Sequence, residues 1–121
     1  SLGSGIARPE WNGSLHGIVP IANACDVLHV LDPAFSWYCQ DPTCQWMGGE
    51  YYTNELDRLL REYAGVFFLG DSMGAAAALR FSALAHDVLA FTPQVDIREY
   101  EAITRRDFTT EAKSDFQRSL L

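Results

Sequence analysis

A short apolar run that leads into a G-x-S-x-G motif is the feature that most constrains how this chain can fold. Residues 66–69 read Val-Phe-Phe-Leu, residues 70–74 read Gly-Asp-Ser-Met-Gly, and four alanines follow. The apolar run predicts a short buried strand, and the small residues after it predict a helix over 73–85 that packs closely on a sheet. Ser72 therefore lies at a strand-to-helix turn.

The spacing of the two glycines around Ser72 has a physical reason. A serine lifted above the end of a strand needs a strained turn, and the flanking chain then passes so close that a Cβ atom would clash. Gly70 and Gly74 meet that requirement. At the start of the predicted helix, the N–H of Met73 points to where a negatively charged oxygen would develop, and the helix dipole reinforces it.

Further apolar patterns extend this unit to the order strand, helix, strand, helix, strand. Asp26–Leu31 and Asp87–Thr92 are apolar runs that each stop at a proline. Between them, leucines at helical spacing predict a helix capped by Thr53 or Asn54 and ended by Gly65. We predict the fold class α/β, with a mostly parallel sheet, flanking helices and strands covered on both faces.

Composition excludes several classes of protein. Nine Lys and Arg against sixteen Asp and Glu give a net charge of −7, which argues against a nucleic-acid partner. No apolar stretch approaches the roughly 18 residues of a membrane span.

No glycine-rich phosphate loop occurs, and Cys39 and Cys44 lack two further ligands at matching spacing, so we expect no cofactor and no metal. With Cys25 the cysteine count is odd, which favours a reducing compartment, intracellular or organellar, or simply free buried thiols.

We divide the chain into a core fragment over 1–97 and a charged amphipathic tail over 98–121. Apolar residues recur at every fourth position of the tail, at Phe108, Ala112, Phe116 and Leu120. This stripe predicts packing against the chain's own sheet or docking onto a partner protein. The chain begins with Ser1 rather than Met, which favours a processed chain or a piece of a longer protein.

Aromatic residues are concentrated in the turn-rich region before the first predicted helix and at the start of that helix. They are Trp37, Tyr38, Trp46, Tyr51 and Tyr52. Aromatic side chains in a long loop are typical of cover for a sheet, and this interpretation is favoured; an apolar pocket for an acyl or sugar group is the alternative.

The strand, motif and helix in this order resemble the α/β-hydrolase family over about Asp26–Ile97. The resemblance implies a partial three-layer α/β core in which Ser72 is the nucleophile. It implies that the N–H of Met73 is one donor to the oxyanion and that Gly5, in Gly3-Ser4-Gly5, supplies the second. Asp96, just past the last predicted strand, stands where some members carry the catalytic acid. The implied substrate is a small-molecule ester or thioester.

The histidine that this family requires after the acid is where the sequence departs from the pattern. His86 follows Ser72 but precedes the last predicted strand, so we expect it at the amino end of the sheet, out of reach. His29 is predicted to be a core residue of a buried strand. His16 stays open as a base and, with Gly17, as an alternative second oxyanion donor. A base would otherwise come from sequence outside this chain.

Two functional hypotheses follow. The first is a serine hydrolase acting on an ester or thioester; the second is a non-catalytic hydrolase-like subunit with a structural or interaction role in a larger assembly. Residues 70–73 are also similar to the opening block of the GDSL-type esterases, but no D-x-x-H follows Ser72, whereas those enzymes carry one near their end. Either family makes Ser72 an ester-directed nucleophile.

Overall fold

The computed structural model describes residues 25–41, 43 and 49–96 of the chain. Helices and strands alternate in this part of the chain. They are α1 (Glu50–Leu60), β1 (Phe67–Asp71), α2 (Met73–Arg80), a 3-10 turn (Ser82–Leu84) and β2 (Asp87–Phe91). The described residues thus combine two α-helices with a two-stranded parallel sheet, which is an α/β arrangement.

The two strands pair in parallel, in a register that puts Phe67 opposite Asp87 and Asp71 opposite Phe91. α2 connects the strands and packs against both of them. Parallel strands need such a crossover, because the C-terminal end of the first strand and the N-terminal end of the second lie at opposite ends of the sheet. The carboxyl ends of β1 and β2 therefore lie side by side.

Both predicted helices are present, but their limits differ from the prediction. α1 begins earlier, after Gly49, whose φ of 86° is a conformation that glycine adopts readily. Thr53 lies inside the helix, where its hydroxyl donates to the carbonyl of Gly49 at 3.1 Å, so neither it nor Asn54 is the cap. The N–H groups of Arg61 and Phe81 still bond to carbonyls four residues back, but those of Tyr63 and Leu84 bond only three residues back, so both helices stop short of their predicted ends at 65 and 85.

The predicted strand over Asp26–Leu31 is wrong. The segment forms no strand, and two of its apolar side chains, Val27 and Leu28, are 42% and 45% exposed. Its backbone pairing is limited to a single bridge at Val30, and two of its carbonyls accept hydrogen bonds from tyrosine hydroxyls: Tyr38 donates to Val30 and Tyr52 to Leu31, each at 3.1 Å. A strand exists only where a neighbour takes up its backbone groups, and among the described residues β1 pairs only with β2.

The two faces of the sheet differ in their cover. Phe68 and Val88 lie opposite each other and pack against the core cluster to which both helices contribute. On the other face Phe67, Leu89 and Phe91 are 71%, 56% and 43% exposed. The described helices build only one layer and leave these three side chains uncovered. A third layer stays a prediction.

Aromatic rings fill the space between the loop before α1 and the two helices. Tyr38 is fully buried and packs edge-to-face on Tyr52, with 4.9 Å between the ring centroids. Phe81, at the end of α2, completes the group. Phe68 of the sheet packs against the same cluster, so these aromatics act as packing on the covered face. Trp46 lies outside the described residues.

A buried carboxylate organises the loop that carries these rings. Asp32 is 3% exposed and accepts hydrogen bonds from the backbone N–H groups of Ala34, Ser36 and Tyr38. These bonds hold a backbone in which three residues have positive φ: Phe35, Trp37 and Tyr38. Burial raises the pKa of Asp32, and the hydrogen bonds oppose that rise.

We expect Asp32→Ala to lower the free energy of unfolding by about 3 kcal/mol or more. The substitution leaves the buried N–H groups of Ser36 and Tyr38 without their acceptor, at about 1–3 kcal/mol each. Urea denaturation followed by circular dichroism measures the effect. Glu62→Ala, at an exposed carboxylate, is the control and should change stability by less than about 0.5 kcal/mol. Equal stabilities of the two variants would contradict the role of Asp32.

Candidate functional site

Ser72 has a strained backbone at the junction of β1 and α2. Its φ is 52° and its ψ is −115°, a combination outside the regions that L-residues populate. A residue held in such a conformation costs about 1–3 kcal/mol and persists only where the surrounding structure imposes it. The backbone of Ser72 thus has the kind of strain that the sequence predicts for this turn.

Hydrogen bonds on both sides hold Ser72 in this conformation. Its N–H donates to the carbonyl of Phe91 at 3.0 Å, which ties it to the end of β2. Its carbonyl accepts from the N–H of Ala76 at 3.1 Å, which ties it to the first turn of α2. Beside it, the hydroxyl of Thr92 donates to Oδ1 of Asp71 at 2.9 Å. The turn is therefore fixed to the sheet as well as to the helix.

Gly70 makes the close approach that the motif predicts. A Cβ atom on Gly70 would lie 2.3 Å from the carbonyl oxygen of Gly74 and 2.7 Å from the nitrogen of Ala75. Real Cβ contacts are never that short, and both neighbours are backbone atoms that cannot move aside. Residue 70 must therefore be glycine, because the backbone of residues 74 and 75, which follow Ser72, leaves no room for a Cβ atom.

We expect Gly70→Ala to disrupt the turn and to lower the free energy of unfolding by more than about 3 kcal/mol, as overpacking against backbone does at its most severe. Gly65→Ala is the matched control, because a Cβ there would only touch the ring of Phe67 at 3.5 Å, an ordinary contact. Thermal denaturation of the two variants measures the difference. A Gly70→Ala variant as stable as the control would contradict the close approach.

Donors for a negative charge lie next to Ser72. The first N–H groups of an α-helix have no acceptor within the helix, and the helix dipole adds a partial positive charge there. Met73 is the first residue of α2 and is 3% exposed, and no acceptor for its N–H occurs among the described residues. The side chain of Ser72 makes no capping hydrogen bond to these groups. The hydroxyl and the donors are therefore both available to a ligand.

Two polar residues missed by the sequence analysis reach this edge of the sheet. Thr92 has a φ of 47° and turns the chain at the end of β2. Gln94 follows, and its Oε1 accepts a hydrogen bond from Nε1 of Trp37 at 3.0 Å. The available signal was their position directly after an apolar strand, since residues at the carboxyl ends of neighbouring parallel strands meet.

The remaining residues singled out by the resemblance have different outcomes. Asp96 is exposed and lies in the segment that follows β2, so its assignment as the acid stays a prediction. Gly5, the proposed second donor, and His16 lie outside the described residues. His29 is described, but it belongs to no strand, so its interpretation as a residue of a buried strand is wrong.

His86 lies at the amino end of the sheet, as its position in the sequence predicts. Its N–H donates to the carbonyl of Val66 at 2.8 Å, and its Nδ1 accepts from the N–H of Val66 at 3.0 Å. β1 separates Val66 from Ser72 at about 3.3 Å per residue, so the imidazole lies about 20 Å from Ser72. His86 therefore holds two backbone segments together rather than serving Ser72.

Comparison with protein-family models, with curated proteins and with solved structures finds no match to this chain. Within residues 25–41, 43 and 49–96, no group of three or more His, Cys, Asp or Glu side chains could hold a metal ion. Nor does either helix of this part have the length and apolar character needed to cross a bilayer. The site is thus interpreted from its own geometry.

Proposed function

We propose that this chain carries the nucleophile and part of the oxyanion site of a serine hydrolase of the α/β-hydrolase type, acting on an ester or thioester. The observation that carries the proposal is the backbone of Ser72, with φ 52° and ψ −115°, held between a parallel strand and the helix that follows it. The proposed fold adds a third layer on the open face of the sheet.

The identity of residue 72 supports a chemical role. Glycine adopts a positive φ without penalty, whereas a residue with a Cβ costs more in this conformation. Glycine occurs two positions to either side, yet a hydroxyl residue occupies the strained position itself. Strain at a residue that bears a nucleophile is typical of active sites. A purely structural turn would be more stable with glycine at 72.

The proposed reaction uses Ser72 as the attacking group. Its Oγ bonds to the acyl carbon while its proton passes to a base, and the negative oxygen that develops accepts hydrogen bonds from Met73 N–H and a second donor, for which Gly5 is the candidate. The C–O or C–S bond then breaks and the base protonates the departing alcohol or thiol. Water then attacks the acyl carbon while the same base takes its proton, the bond from that carbon to Oγ breaks, and the base returns the proton to Ser72 Oγ as the acid leaves.

The base in this proposal is a histidine supplied from outside the described residues, with Asp96 as the carboxylate that orients it. His86 is not that base, because its Nδ1 is occupied by Val66 and it lies at the opposite end of the sheet. In this proposal the nucleophile and the first oxyanion donor are adjacent in sequence, whereas the proton acceptor belongs to a more distant segment.

We expect a fluorophosphonate probe to form a covalent adduct with Ser72, since such probes report an activated serine nucleophile. Intact-mass spectrometry followed by peptide mapping locates the adduct. Ser72→Ala should abolish it, and Ser82→Ala, at an exposed serine of the 3-10 turn, should leave it unchanged. Absence of labelling in correctly folded full-length protein would overturn the proposal.

We expect His86→Ala to leave the rate of fluorophosphonate labelling within about twofold of the wild type. The same variant should lose about 1–3 kcal/mol of stability, because the N–H of Val66, a buried residue, no longer has its acceptor. Labelling kinetics and urea denaturation measure the two effects. Loss of labelling in a folded His86→Ala protein would instead make His86 part of the catalytic machinery.

The alternative function, a non-catalytic hydrolase-like subunit of a larger assembly, is favoured by one observation. Phe67, Leu89 and Phe91 form an exposed apolar surface on the open face of the sheet. Such surfaces are typical of contact with another protein layer. Failure of the labelling experiment together with stable association of the chain with a partner protein would support this alternative.

A further inference from the structure

Gln94 is a half-buried polar residue at the carboxyl edge of the sheet that the proposed mechanism does not use. Its Oε1 accepts a hydrogen bond from Nε1 of Trp37 at 3.0 Å. An indole N–H can only donate, so the carboxamide must present its oxygen to Trp37 and direct its NH2 group elsewhere. No described residue accepts a hydrogen bond from that NH2 group. Two donors of known orientation are therefore available.

The segment that carries Gln94 starts beside Ser72. The carbonyl of Phe91 accepts the hydrogen bond of the Ser72 N–H, and the next residue, Thr92, bonds to Asp71. The positive φ of Thr92 turns the chain, and Gln94 follows two residues later. The strained serine and the carboxamide thus belong to adjoining strand ends at the same edge of the sheet.

The Trp37 side of the contact is rigid. Trp37 is 5% exposed and belongs to the loop that the buried carboxylate of Asp32 organises. The orientation of the Gln94 carboxamide is therefore set before a ligand arrives. A preorganised donor contributes more to binding than one that must first be ordered.

The charges at this edge indicate what kind of acceptor fits. Among residues 70–73 and 91–96 the ionisable side chains are Asp71 and Asp96, both carboxylates. Like charges repel, so a carboxylate or phosphate group on a ligand is disfavoured here. A neutral oxygen, such as a carbonyl, ether or hydroxyl oxygen, satisfies an amide N–H without that cost.

We propose that Gln94, oriented by Trp37, is a specificity-determining residue that donates a hydrogen bond to a neutral oxygen in the acyl group of the substrate. The inference rests on the proposed function of Ser72 and deepens it by naming the substrate class. Esters of oxygen-bearing acyl groups are then better substrates than esters of plain alkyl acids of the same size, because a donor left unpaired in the complex costs binding.

The test compares two isosteric esters, p-nitrophenyl methoxyacetate and p-nitrophenyl butyrate, whose acyl groups differ by one oxygen in place of one methylene. Acylation of the protein is followed as release of p-nitrophenol. The two esters differ in intrinsic reactivity, so the informative quantity is the ratio of their kcat/KM values, compared between the wild type and each variant. That comparison cancels the chemical difference.

Three variants separate the effects. Gln94→Glu keeps an oxygen for Trp37 but replaces the NH2 donors by a carboxylate oxygen. Gln94→Met removes the donors without adding charge. Trp37→Phe removes the N–H that orients the carboxamide. We expect both Gln94 variants to lower the ratio of kcat/KM, methoxyacetate over butyrate, by about tenfold, the usual value of one hydrogen bond. Trp37→Phe should lower the same ratio less.

The outcomes distinguish this inference from the proposed function. An equal fall for both esters, or an unchanged ratio in folded Gln94 variants that still label at Ser72, overturns the role of Gln94 and leaves Ser72 as the nucleophile. Absence of both fluorophosphonate labelling and ester turnover in the wild type overturns the proposed function and this inference with it. A ratio that falls in both Gln94 variants supports the inference.

Discussion

The hydrogen bond from the N–H of Ser72 to the carbonyl of Phe91 continues the β1–β2 ladder one step beyond the end of β1. This bond fixes the N-terminal side of the serine to the sheet while α2 fixes its C-terminal side. Because hydrogen bonds hold both sides of Ser72, its backbone cannot relax into helix or strand geometry, and its strained φ and ψ persist. The parallel pairing of two five-residue strands is thus what keeps this hydroxyl residue out of regular structure.

Packing on the covered face of the sheet brings a second segment to the same edge. The alanines of α2 let the helix lie close to the strands, and Tyr38, Tyr52 and Phe81 close the core around it. Since Asp32 holds the loop that carries Trp37, that core also sets where the indole meets Gln94. A buried carboxylate far from Ser72 in the sequence therefore shapes the surroundings of the candidate site.

The residues proposed for the reaction fall into two groups, those adjacent to Ser72 in the sequence and those far from it. The nucleophile and the first oxyanion donor, Ser72 and Met73, are adjacent in the chain, so a single strand–turn–helix unit positions both. The proposed base and second donor belong to segments outside the described residues, whereas the proposed acid, Asp96, follows β2. In this proposal the described residues supply the nucleophile, the first donor and the acid of the site. The open apolar face of the same sheet is where further layers of such a fold would pack.

The sequence by itself determined the local unit: an apolar run, glycines where the chain approaches itself and small residues for a close-packed helix make the strand, the turn at Ser72 and the start of α2. It predicted a third strand at Asp26–Leu31 wrongly, because an apolar run becomes a strand only when another strand takes up its backbone groups. The helix ends at 60 and 80 and the contact between Trp37 and Gln94 were decided by tertiary structure. These depend on packing between residues far apart in the chain, which no local pattern encodes.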